Sequence, residues 1–213
     1  MVRARFAVCL LLVALAGAAR LGLVGQDGRP APRLLGAVPH VAQSTDYSCG
    51  PCALVAVLAY YGIAAREGDV VRQARTNPEV GAELEDLAGV ARRYGVEAIV
   101  RQGLELADLE RELDAGYPVI VLNQSWREDS RVPWERDWDD GHYLVVIGMD
   151  ADLVYVEDPN LEEGRGFIPR REFVERWHGW TIDQRRTTGQ ALLVHGKPSP
   201  KAPGMMARFE RVP

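Results

Sequence analysis

Residues 43–62 read QSTDYSCGPCALVAVLAYYG. The first six are polar, and from Cys49 onward nearly every position is apolar up to Gly62. A helix that is apolar all round is a buried helix, and glycine is a common stop residue at a helix end. The stretch therefore predicts a buried helix with a cysteine in its first turn. That end of a helix carries unpaired N–H groups and roughly half a positive charge. Both stabilise an anion, and the reactive form of cysteine is the thiolate.

Two chemistries fit such a cysteine. Cys49-Gly50-Pro51-Cys52 has the spacing of a redox dithiol, whose first thiol is acidified by the helix start. A dithiol motif of that kind follows a buried strand in a βαβ unit, whereas the approach here, HVAQSTDYS (residues 40–48), is polar. Alternatively, Cys49 is a nucleophile. It then needs a base and a third group to orient that base, and Gly50 leaves room beside it for a substrate backbone.

The candidate base is His142. Of the other histidines, His40 precedes the first turn, His178 in ERWHGW fits an amphipathic helix, and His195 ends the last strand. Gly141 comes before His142 and YLVVIGMD (143–150) follows it, which sets the imidazole at the mouth of a central strand. A second strand, LVYVEDP (153–159), is joined to the first through Asp150-Ala151-Asp152, a tight hairpin turn. His142 and Asp158 each lie about eight residues from that turn, so antiparallel pairing brings carboxylate and imidazole together. Singly, His142 reads as a core histidine and Asp158 as the start of an Asp-Pro turn. With Cys49 they make nucleophile, base and orienting acid. Gln43, six residues before Cys49, is the candidate side-chain donor for an oxyanion, alongside the Cys49 backbone N–H.

Around these residues the chain reads as helices followed by strands. REGDVVRQARTN, GAELEDLAGVARRYG and ELADLERELDAG have helical spacing, with RREFVERWHGW as a late helix. VEAIVRQ, YPVIVLNQ and QALLVHG join the two hairpin segments as strands. That order implies an α+β domain, its N-terminal helices packed on an antiparallel sheet. Between strands lies SWREDSRVPWERDWDDG (125–141), a long loop carrying Trp126, Trp134 and Trp138. Loops of this length are usually functional or disordered. The tryptophans either grip an apolar partner or fold back onto the core. With Gly50 and Gly141 they are the candidate substrate-binding residues.

The 213 residues are 47% hydrophobic and 26% charged, an ordinary globular composition. A net charge of −5 speaks against a nucleic-acid partner. Three cysteines are too few for a disulfide framework. Cys49 and Cys52 have no nearby histidine pair, so no zinc set is visible, and no cofactor is implied. Residues 1–23, MVRARFAVCLLLVALAGAARLGL, have a basic start, an apolar run and Ala16-Gly17-Ala18, the pattern of a secretory signal cut after Ala18. Arg20 interrupts the run before the ~20 residues a membrane span needs. The expectation is an exported protein, periplasmic or secreted, with no stable membrane insertion after cleavage, or tethered if the segment stays uncut. Residues 19–37 read as a linker, 38–196 as the folded domain and 197–213 as a loose C-terminal tail.

QSTDYSCGPCAL, GHYLVVIGMD and VEDPN together resemble the double-glycine (bacteriocin-processing) cysteine peptidases, a papain-like group. The resemblance covers about residues 38–195. It implies a papain-like α+β fold and a peptide or protein substrate. It also implies Cys49 as nucleophile, His142 as general base, Asp158 as the group orienting His142, and Gln43 in the oxyanion hole. The chain departs from the transporter-embedded members: it shows a signal segment and no nucleotide-binding motif, and Ser48 stands where many members have aspartate. It looks more like the free-standing, exported relatives. A peptide-binding module of the same fold and a dithiol oxidoreductase are the alternatives.

Overall fold

The apolar run after Cys49 folds into a helix whose every residue but Ala59 is buried. A computed structural model describes residues 33–35, 38–127, 129–181, 183–197 and 209–213. The signal segment, with Cys9, lies outside them. In chain order the elements are β1 (Arg33–Leu34), α1 (Cys49–Tyr60), α2 (Glu67–Gln73), α3 (Leu84–Arg93), β2 (Glu97–Arg101), α4 (Leu106–Ala115) and β3 (Val119–Gln124). A short 3-10 turn (Trp134–Arg136) leads to β4 (Gly141–Met149), β5 (Leu153–Glu157), β6 (Arg165–Pro169) and α5 (Arg170–Arg176). The chain closes with β7 (His178–Trp180), β8 (Arg186–Thr188), β9 (Ala191–His195) and β10 (Glu210–Arg211).

The main sheet runs β10-β6-β5-β4-β3-β9-β2, with β1 on β4 beyond the start of β3. All its pairings are antiparallel except β10 with β6. The fold is the expected α+β class, but helices cover both sheet faces. Alternate residues of a strand point to opposite faces, and β3, β4 and β9 are apolar at both sets. Ile120, Leu122, Tyr143, Val145 and Leu192 pack with α1 and α3. Val119, Val121, Leu144, Val146 and Leu193 pack with α4 and with Phe173 of α5.

Three expectations change. The linker's Arg33–Leu34 pairs with Met149 and Gly148. The C-terminal end is not loose where it is described: Glu210–Arg211 pairs with β6, Val212 is fully buried, and the Pro213 carbonyl accepts from Arg176 and from the Trp126 N–H. The late helix stops at Arg176, and His178 belongs to the hairpin β7–β8. That hairpin closes on β3 because residue 179 is glycine: a Cβ there would lie 2.3 Å from Leu122 Cδ2.

Candidate active site

The approach to Cys49 is a tight turn held by its own side chains. The Thr45 N–H and hydroxyl donate to Ser48 Oγ at 3.2 and 2.8 Å, and Ser48 Oγ in turn donates to the Thr45 carbonyl at 3.0 Å. Ser48 is fully buried, so its small hydroxyl closes the turn that feeds the helix. Cys49 then opens α1. Gly50 does not border the cleft. A Cβ there would meet the Tyr143 ring at 2.9 Å and Leu87 Cδ1 at 3.0 Å, so the missing side chain lets α1 press onto β4. That contact brings the Tyr143 N–H to the Cys49 sulfur.

His142 lies one residue inside the N-terminal end of β4, opposite Asn123 of β3. Its Nε2–H donates to Asp158 Oδ1 at 2.6 Å. Asp158 is fully buried, and its Oδ1 also accepts from the Asn160 N–H at 2.9 Å. With Nε2 committed to the carboxylate, the other ring nitrogen is left for the Cys49 thiol, and the two groups act on each other's charge. Burial alone would push the Cys49 thiol up. The bond and charge of His142, with the Tyr143 and Gly50 N–H groups, outweigh burial and leave it below its ordinary value. Burial would likewise lower His142, but the Asp158 charge and the bonds to Asp158 and Cys49 raise it, to about 10. Opposite shifts on two touching groups favour a thiolate–imidazolium pair.

Gln43 is tied by its backbone N–H to the Pro159 carbonyl, 3.0 Å away, in the turn that begins with Asp158. Its side-chain amide donates to the Thr45 carbonyl at 3.1 Å, which leaves its second N–H uncommitted. Cys52 points elsewhere. Its sulfur lies 3.8 Å from the Ala42 carbonyl and bonds to Glu67, and burial with the Glu67 charge raises its pKa strongly. Both cysteines are free thiols.

A cleft of about 670 Å³ opens over Cys49. Trp138, Gly141 and Tyr143 line it, as do Trp180, Val80 and Glu83. Trp138 stacks on His178 at 4.2 Å and meets Trp180 edge-on at 5.6 Å. Arg186 lies 4.5 Å over the Trp138 ring. Trp126 and Trp134 do not line this cleft. Trp134 is buried between the guanidinium groups of Arg127 and Arg176, each 3.9 Å from its ring. Trp126 is 37% exposed, with a left-handed φ of 66°. Trp180 and the Val80 rim were missed from sequence. The second tryptophan of WHGW was the available signal for the former; the latter had none. Among the described residues no His/Cys/Asp/Glu group could hold a metal ion.

The Peptidase C39 family model matches residues 37–188. The chain belongs to the peptidase C39 family. Family and fold together support a cysteine peptidase. An uncharacterized protein of Methanothermobacter marburgensis is 32% identical over 140 residues, 65% of this chain and 82% of that protein. The transport/processing ATP-binding protein ComA of Streptococcus pneumoniae is 27% identical over 141 residues, 66% of this chain but 18% of ComA. Among solved structures, a C39-like peptidase from Bacillus anthracis superposes with a TM-score of 0.61 at 20% identity, over 79% of this chain and 99% of that one. For this C39 chain the likeness at such low identity is one of fold.

Proposed function

We propose that the protein is an exported C39 peptidase that cleaves peptide amides through Cys49, His142 and Asp158. The observation that carries this is the 2.6 Å bond from His142 Nε2 to Asp158 Oδ1, which leaves the other ring nitrogen for the Cys49 thiol. The thiolate attacks the substrate carbonyl carbon. The Cys49 N–H and the free N–H of Gln43 bind the resulting oxyanion, as preorganised donors do in acyl transfer. The His142 imidazolium then gives its proton to the leaving amine, and a thioester remains. His142 next takes a proton from water, whose oxygen attacks the thioester. The product acid leaves and the thiolate returns. An amine that reaches the thioester before water receives the acyl group instead. Trp138, Gly141 and Trp180 are the proposed substrate walls.

The test is alkylation of Cys49 by iodoacetamide at about pH 6, where an ordinary thiol is only about 0.3% ionised. The native protein should react rapidly, and His142→Ala should slow it on the order of a hundredfold. A sluggish thiol indifferent to His142 would favour a non-catalytic peptide-binding module. Export rests on the pattern of residues 1–18. N-terminal sequencing of protein from the cell envelope or medium should give a chain starting near Ala19. A cytoplasmic chain starting at Met1 would overturn it.

A further inference from the structure

The last two residues before the turn after β5 carry carboxylates that serve two different histidines. Asp158 bonds to His142. Glu157, fully buried, accepts the Nδ1–H of His40 at 3.0 Å and the Val41 N–H at 3.2 Å on the same Oε1. β5 ends at Glu157 and the chain turns at Asp158, so one short stretch presents an acid to each histidine. Arg165 stands opposite Glu157 in the β5–β6 ladder, and its guanidinium donates to the Val38 carbonyl. A Cβ on Gly164 would come within 2.2 Å of the His40 ring, so that ring lies flush on the turn. Gln43 N–H closes the series on the Pro159 carbonyl at 3.0 Å. Residues 38–43 are thus fastened at Val38, His40, Val41 and Gln43 to the stretch 157–165, which also holds Asp158.

A buried carboxylate is costly unless it is bonded. Here its bonds fix main chain that has no helix or strand of its own. We infer that Glu157 and His40 are positioning residues: they lock the Gln43 segment in register with the Asp158 turn, so that the oxyanion donor and the His142–Asp158 pair stay aligned. The inference rests on Gln43 being that donor. Neither residue lines the cleft over Cys49. Each acts through the backbone between Val38 and Gln43.

A peptide aldehyde separates this role from a merely structural one. Acetyl-Gly-glycinal adds to a cysteine thiolate to give a hemithioacetal: sulfur bonds to the aldehyde carbon, and the carbonyl oxygen becomes the group the oxyanion donors hold. Iodoacetamide alkylation displaces iodide and needs no such donor. On the full chain, Gln43→Ala should weaken the aldehyde by roughly tenfold to a hundredfold, and Glu157→Leu by roughly tenfold, with the iodoacetamide rate unchanged in both. The double variant should be no weaker than Gln43→Ala alone. Glu157→Gln, which keeps an acceptor for Val41, should restore native affinity. His40→Ala removes one tie while sparing Glu157 and Arg165; it should weaken the aldehyde several-fold and covers failure of Glu157→Leu to fold. Losses that multiply in the double variant would overturn the inference, as would alkylation rates that fall in step with aldehyde affinity. A native Cys49 that alkylates slowly and independently of His142 would remove the peptidase reading, and this role with it.

Discussion

His142 and Asp158 meet on a diagonal. The last pair of the β4–β5 ladder is Val145 with Glu157. One further step would set Asp158 opposite Leu144, two residues short of His142. The carboxylate nevertheless reaches Nε2 at 2.6 Å, because the chain leaves the ladder at Asp158 and turns back through Asn160, whose N–H holds the same oxygen. The register shift between Val146 and Gly148 moves the hairpin by one residue. The turn after Glu157, as much as the strand pairing, aims the acid.

Asp158→Ala should therefore disarm the ring without removing it. Loss of an orienting carboxylate leaves a histidine in the wrong tautomer and costs on the order of 10⁴-fold in Ser-His-Asp triads. Peptide turnover should fall by at least two of those decades, roughly a hundredfold. Circular dichroism should show an intact fold.

The pH profile follows from the two shifts. Cys49 is held below its usual value and His142 above its own. The charged pair is present between them: protonating Cys49 on the acid side destroys it, as does deprotonating His142 on the alkaline side. Alkylation rate against pH should keep an acid limb well below the ordinary thiol range. In His142→Ala that limb should move up into the ordinary thiol range or beyond it, because burial of Cys49 is then no longer outweighed by the imidazole. The stability terms have matching signs. The raised His142 stabilises below its unfolded pKa and loses this as pH rises through its folded value; the lowered Cys49 stabilises above its unfolded pKa and loses this as pH falls through its folded value.

Gly50→Ala should destabilise the fold and misplace the nucleophile. The added methyl would sit 2.9 Å from a rigid, buried Tyr143 ring, and overpacking of this kind costs about 1–3 kcal/mol. Urea denaturation should show the loss. Combining it with Tyr143→Leu should cost less than the sum of the two, because the residues share one contact.

Cys52→Ala discriminates between dithiol and peptidase chemistry. The Cys52 thiol is driven up by burial and Glu67, which makes it a poor attacking group. In reductant the variant should keep peptide turnover, with stability changed by about 1 kcal/mol. In oxidising buffer, reductant should raise the activity of the native protein and leave Cys52→Ala unmoved, if a Cys49–Cys52 disulfide forms there. Loss of all activity in Cys52→Ala would point to the dithiol instead.

Helix α1, the hairpin and the His142–Asp158 contact were legible because each depends on residues close in sequence or on one short turn. What was not legible depends on distant partners. Gly50 reads as space for a substrate until Tyr143, 93 positions later in the chain, fills it. Trp134 reads as a binding residue until Arg127 and Arg176 enclose it. His178 continues an apparent helical pattern because Phe173 and Trp177 are four apart and both buried. The chain leaves the helix at Arg176, and His178 becomes the shelf on which Trp138 stacks. Strands β6 and β10 are short and carry glycine, proline and charge, so no alternation marks them.

The rod that bears the nucleophile has almost no face turned to water. A sulfur mounted there cannot swing out on a hinge, nor can its mount fray while the rest of the molecule stands. Heating should silence the thiol and melt the protein in a single event, so changes in the reactivity of this cysteine that leave the architecture standing must come from the imidazole and carboxylate beside it rather than from the rod itself.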